Sequence, residues 1–210
     1  MRQRFVNRWV VGALISAALT ALCVSYVRSR PLVFGMKVHA HCIKFAGLSL
    51  GTYASEHDGE FPYSPKGYPD ALLFLEEDCY NALTGPGYSP EPLLRAKRDG
   101  TPLNEGDCGR VYIQGLRLYR QGQGWTTGSN HQIVILFDKL PTPGGDHCGL
   151  PRRMWAEPGR EVCYRDGSMN FIPESQWPEF ARQQVEFLVE EGFDRAEAER
   201  LYAPAPKSSS

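Results

Sequence analysis

The sequence predicts an α+β protein: an N-terminal transmembrane helix, an amphipathic helix packed on a small antiparallel sheet, and a C-terminal helical extension. Three observations predict it. An uncharged run extends from Trp9 to Val27. Apolar residues at Ile43, Ala46, Leu50 and Tyr53 recur at three- and four-residue steps, the period of one helix face. The pair Asp166-Gly167 separates two runs of strand-forming residues, as a hairpin turn does.

The totals bound what the chain can do. With 210 residues it has room for one ordinary domain and an anchor. Lys and Arg total 23 against 24 Asp and Glu, for a net charge of -1, so no strong positive field attracts nucleic acid, and nucleic-acid binding is set aside. The 21 glycines and 16 prolines argue for a turn-rich chain rather than a helical bundle.

The run WVVGALISAALTALCVSYV rises about 1.5 Å per residue as a helix, enough to span most of a hydrocarbon core roughly 30 Å thick. Its Val, Leu and Ile residues favour insertion by roughly 2 to 5 kcal/mol. Trp9 and Tyr26 stand at its ends, where amphipathic rings prefer headgroups, and Arg2, Arg4 and Arg8 place the N-terminus inside. Arg28, Arg30 and Lys37 form a comparable basic cluster beyond it. A cleaved signal peptide is the rival reading, but its apolar region is shorter and Ser25 to Ser29 offers no small-x-small cleavage site. Both readings carry the remainder out of the cytoplasm, and membrane lipid is the first expected partner.

Beyond Pro31 and Gly35, Val38 to His57 reads as the amphipathic helix, stopped by Asp58-Gly59 and Pro62. Tyr68 to Tyr80 reads as a helical turn or two over the core. Asn81 to Asp107 carries Gly85, Pro86, Gly87, Pro90, Pro92, Gly100, Pro102 and Gly106, and is expected to be a loop without a regular element of any length. Strands follow at Arg110 to Tyr119 and His131 to Phe137, the second apolar enough to be buried on both faces at the sheet centre. A two-residue turn at Asp166-Gly167 would pair Tyr164 with Met169 and Val162 with Phe171, leaving Cys163 and Asn170 on the other face. A helix from Trp177 to Glu191 with Pro178 in its first turn and a stripe of Trp177, Ala181, Val185 and Leu188, then a short helix from Asp194 to Tyr202, complete the chain.

Outside the apolar run lie Cys42, Cys79, Cys108, Cys148 and Cys163, an odd number in a compartment that favours disulfides. Proximity along the chain makes Cys79 with Cys108 and Cys148 with Cys163 the economical pairs, leaving Cys42 single. Closing those loops would stabilise by roughly 3.6 and 3.1 kcal/mol in the chain-entropy picture. The alternative is five separate buried thiols.

Two phrases resemble a known family. The segment from Cys42 through Ala54-Ser55-Glu56-His57-Asp58-Gly59-Glu60-Phe61-Pro62, and the later Tyr164-Arg165-Asp166-Gly167-Ser168-Met169-Asn170-Phe171-Ile172, resemble the helix and closing hairpin of bacterial type II secretion pseudopilin G-like proteins and their DUF1559-type relatives. The resemblance implies a pseudopilin-like fold on a single-pass anchor in the cytoplasmic membrane, with envelope or secretion-system proteins as partners. The chain departs from the family where Gly12 is followed by Ala13-Leu14-Ile15-Ser16-Ala17, without the prepilin glutamate, and where Pro31 interrupts the long helix. The resulting partition is a cytoplasmic N-terminus at 1–8, an anchor at 9–27, an ectodomain at 38–173, a helical extension at 174–202 and a disordered tail at 203–210.

Chemistry in the sequence is sparse. His39, His41 and Cys42, with Asp146, His147 and Cys148, supply donor types that zinc accepts, but at no recognised zinc spacing. No residue is assigned to catalysis, a metal or a cofactor. The expected role is a membrane-anchored structural or interaction protein. The alternatives are a free-standing extracytoplasmic binding module, and a metal- or thiol-dependent enzyme that bound metal or a reactive thiol would reveal.

Overall fold

A computed structural model describes residues 42–85, 87–117, 132–142 and 157–203. All belong to one compact unit spanning His39–Ser210. The run Trp9–Val27 and the tail 204–210 lie outside the described residues, and among those described no helix is long and apolar enough to cross a membrane.

Helix α1 (Ile43–Glu56) follows Cys42, an extended N-cap residue without a side-chain cap bond. Ile43, Ala46, Gly47, Leu50 and Ala54 are its buried positions, close to the expected stripe. Short helical pieces follow: α2 (Tyr68–Ala71), two 3-10 turns (Leu72–Phe74 and Glu77–Cys79) and α3 (Tyr80–Thr84). The expectation of an unstructured stretch from Asn81 to Asp107 is corrected by α4 (Glu91–Asp99). The residues read as breakers bracket this helix. Pro90 is its N-cap, Pro92 lies in the first turn where no intrahelical N–H is needed, and Gly100 ends it at φ 71°.

Four strands form one antiparallel sheet in sequence order: β1 (Arg110–Tyr112), β2 (Val134–Asp138), β3 (Gly159–Tyr164) and β4 (Met169–Pro173). Strand β2 is buried throughout and central, as its apolar run predicted. The hairpin is slipped by one residue from the expected register. Cys163 pairs with Met169, Val162 with Asn170 and Glu161 with Phe171. The cause is a three-residue loop: Gly167 N–H donates to the Tyr164 carbonyl at 2.9 Å, and Gly167 itself takes φ 82°. A type I turn closed by a left-handed glycine adds one residue to the loop. Asp166 locks it by accepting from Ser168 N–H and Oγ–H at 2.8 and 2.5 Å.

That single-residue slip reassigns which β4 side chains share a face with those of β3, placing Met169 beside Cys163 and Asn170 beside Val162. Cys163 points at α1, where a Cβ on Gly47 would lie 2.5 Å from its Sγ. Alanine is the better helix former by about 1 kcal/mol, but the clash is larger, so Gly47→Ala should destabilise by about 1–3 kcal/mol. Urea titration checks the sign, and a stabilised variant would contradict this packing.

The opposite face of the sheet is covered by α5 (Trp177–Glu190) and α6 (Arg195–Tyr202). Phe137, one residue along from the α1-facing Leu136, meets Trp177 at 5.4 Å and stacks on Tyr202 at 4.7 Å between ring centroids. Asp194 caps α6 by accepting from Glu197 N–H at 3.0 Å. Trp177, Val185, Leu188, Ala198 and Tyr202 share one buried cluster with α1 and the sheet. Buried Gln184 also serves a β-bulge between Val134 and Leu136, accepting from Val134 N–H and donating to the Gln132 carbonyl, each at 2.9 Å. The described residues thus stack as helix, sheet and helix.

Candidate functional site

The sequence singled out its cysteines first, and the structure corrects their pairing. Cys79, Cys108 and Cys163 are buried free thiols, so neither Cys79–Cys108 nor Cys148–Cys163 is formed. Each sulfur has its own surroundings. Cys79 Sγ lies 2.8 Å from Ser49 Oγ on α1, Cys163 faces Gly47 of α1, and Cys108 is sealed between the Glu105–Asp107 turn and β1. Cys42, the residue expected to be single, is disulfide-bonded.

Burial raises the three thiols, Cys79 and Cys108 to about 11 and Cys163 to about 12. They stay protonated at neutral pH, and a thiol is a poor nucleophile beside its thiolate. A thiol reagent should leave all three unmodified in the folded protein and modify all three in denaturant, with Cys42 recovered in a cross-linked peptide until reductant is added. Labelling of any of the three in the native state would contradict the core described here.

The metal donors considered earlier, His39, His41, Asp146, His147 and Cys148, lie outside the described residues, and among the described residues no group of three His, Cys, Asp or Glu could hold an ion. Asp166 and Gly167 shape the hairpin turn.

The structure adds three buried arginines that sequence reasoning missed. Arg110 on β1 is fully buried; its Nε–H donates to Asp138 Oδ1 at 2.8 Å, its Nη2 lies 3.6 Å from Glu161 Oε2, and its Nη1–H donates to the Ala82 carbonyl. Glu161 N–H donates to Asp138 Oδ2 at 3.2 Å, so neighbouring strands carry one connected row of charge. Arg160, on the opposite face, makes two bonds to Glu174 at 3.0 and 3.1 Å and lies 4.3 Å over the Trp177 ring. Arg165 leaves the hairpin tip to meet Glu191 at 3.1 Å and the Arg117 carbonyl. A charged residue inside an apolar strand run was the available signal, because burial there requires a partner.

Desolvation raises the Asp138 carboxyl from 3.8; Arg110 opposes the shift and Glu161 adds to it. A folded-state value above the unfolded one means that folding favours the proton. This contribution is complete below the unfolded value and is lost as pH rises through the folded one. The stability difference between wild type and Asp138→Asn should therefore be more favourable to wild type at about pH 5 than at about pH 8. Denaturant melts at the two values check this, and an unchanged difference would show that Asp138 does not titrate with folding.

Two surface features remain. A groove of about 260 Å³ between α5 and α6 is lined by Ala181, Val185 and Tyr202 together with Glu186, Arg195 and Glu199. Both of its arginines are already occupied, Arg195 at 2.8 Å from Glu186 and 3.9 Å from Glu199, and Arg182 at 2.6 Å from Glu179. On α1, Phe45 and Leu48 are exposed although the stripe at 43, 46, 50 and 54 is buried. Set against known proteins, the chain matches no family model, no curated protein and no solved structure.

Proposed function

We propose that this chain is a non-enzymatic, membrane-anchored, pseudopilin-like envelope protein, held in the bacterial cytoplasmic membrane by Trp9–Val27 with its domain on the extracytoplasmic side. One observation carries the reading. An amphipathic helix that packs on an antiparallel sheet follows an uncharged run in the chain, and Cys42, at that helix's N-cap, is held in a disulfide. A disulfide beside three buried thiols suits an oxidising compartment, because reducing compartments keep such bonds open. The buried charges support a structural role: Arg110, Arg160 and Arg165 each bind carboxylates that tie one element to another.

The role is binding, to envelope proteins that include a type II secretion or pilus-like assembly. A second reading, a free-standing extracytoplasmic binding module, is favoured by α5 and α6, which pack on the sheet through Phe137 and Arg160 and have no counterpart in the family resemblance. Topology reporters fused after Arg30 and at the C-terminus test the anchor, and crosslinking in membranes separates the readings. Ladders of like subunits or adducts with secretion components favour the assembly. A lone monomer favours the module, and cytoplasmic signals from both reporters overturn the proposal.

A further inference from the structure

We infer that the outward face of the first turns of α1, at Lys44, Phe45 and Leu48, rests on the lipid surface. The inference depends on the membrane-anchored reading and adds a second, reversible contact to it.

Phe45 and Leu48 stand one helical turn apart on the side of α1 away from the sheet, 37% and 61% exposed. Lys44 is exposed beside them, so its stem can lie along apolar surface while its ammonium reaches a headgroup phosphate. Met169, 39% exposed, is the β4 partner of Cys163, the residue on which Gly47 of α1 packs. Apolar side chains beside a cation on an exposed helix face are the pattern of an interfacial contact.

The length of chain ahead of α1 selects lipid as the occupant. From Val27 to Cys42 the chain spans at most about 50 Å even when fully extended. The exposed side chains belong to the end of α1 nearest that tether. A stable protein interface buries roughly 1,200–2,000 Å² in total, more than this small set of side chains supplies. Tethering removes that requirement, since a linked second contact forms at high effective concentration. Strand addition beside Met169 is also discouraged. Phe171 N–H is taken by Asn170 Oδ1 at 2.8 Å, and Pro173 has no N–H to offer.

The test uses the full chain reconstituted in vesicles of phosphatidylethanolamine and phosphatidylglycerol containing a lipid with a diazirine on its acyl chain. After irradiation, mass spectrometry locates the adducts. Tyr63 at 59% and Phe74 at 55% exposure, neither of them in α1, serve as exposed aromatic controls. Labelling at Phe45 and Leu48 several-fold above that at Tyr63 and Phe74 is the expected result. Leu48→Asp should abolish the enrichment while the chain still sediments with the vesicles and melts as wild type does. Equal labelling at the controls, or none at Phe45 and Leu48 in sedimenting protein, overturns the inference and leaves the anchor standing. Dimers crosslinked through Leu48→Cys would assign the face to a second copy and overturn it as well. Protein that does not sediment removes the anchor, and this inference falls with it.

Discussion

Arg110→Met is expected to destabilise the domain by about 3–5 kcal/mol at neutral pH. Methionine roughly replaces the volume, so the loss is electrostatic. The guanidinium is fully buried, within 2.8 Å of Asp138 and 3.6 Å of Glu161, and both carboxylates are themselves buried. Without it, each must stay charged in a poor solvent or take a proton. Protonation at pH 7 of a carboxyl with an ordinary value near 4 costs about 4 kcal/mol, which caps the penalty per group. In the variant the Asp138 carboxyl, already raised by burial, loses the guanidinium that opposes the rise, so the lost stability should return in part as pH falls toward about 5. Urea denaturation at both values checks the size and the sign. A triple variant with Asp138→Leu and Glu161→Leu should recover most of the loss, because buried ionic groups removed together leave no charge unpaired. A single variant as stable as wild type would mean that the charged row contributes nothing.

Trp177→Ala should cost about 3–5 kcal/mol, the usual range for a buried tryptophan, and its effect should be concentrated in α5 and α6. The indole is 5% exposed and is the point at which several groups meet: Phe137 from the sheet at 5.4 Å, Phe180 at 5.6 Å, Tyr202 at 6.1 Å and the Arg160 guanidinium at 4.3 Å. Its loss opens a cavity between the sheet and both helices and removes the ring under Arg160. Hydrogen exchange should show α5 and α6 losing protection before β2 and β3. Uniform loss across the domain would mean that the helices and sheet unfold as one unit, and an unchanged midpoint would show that this contact holds nothing together.

The α+β class, α1, the central strand β2 and the two C-terminal helices were legible in the sequence because each is announced by local periodicity or by a cap. Asp194 before α6 and Pro178 in α5 mark their helices through backbone chemistry that needs no distant partner. The error at α4 has the same origin: prolines and glycines stop a helix or start one according to position, and Pro90, Pro92 and Gly100 occupy starting and stopping positions. The surface at Phe45 and Leu48 was hidden behind the stronger buried stripe of the same helix.

The linear order of residues was sufficient to determine the kinds of element, their approximate limits, the turn at Asp166-Gly167 and the absence of a strong net charge. Only the folded arrangement decided which way β3 faces, which cysteines remain thiols, and that Arg110, Asp138 and Glu161 meet. Local patterns report the backbone preferences of neighbouring residues. A hairpin register that turns on one added loop residue, a disulfide and a buried ion pair all join groups that the chain keeps far apart until the sheet has formed.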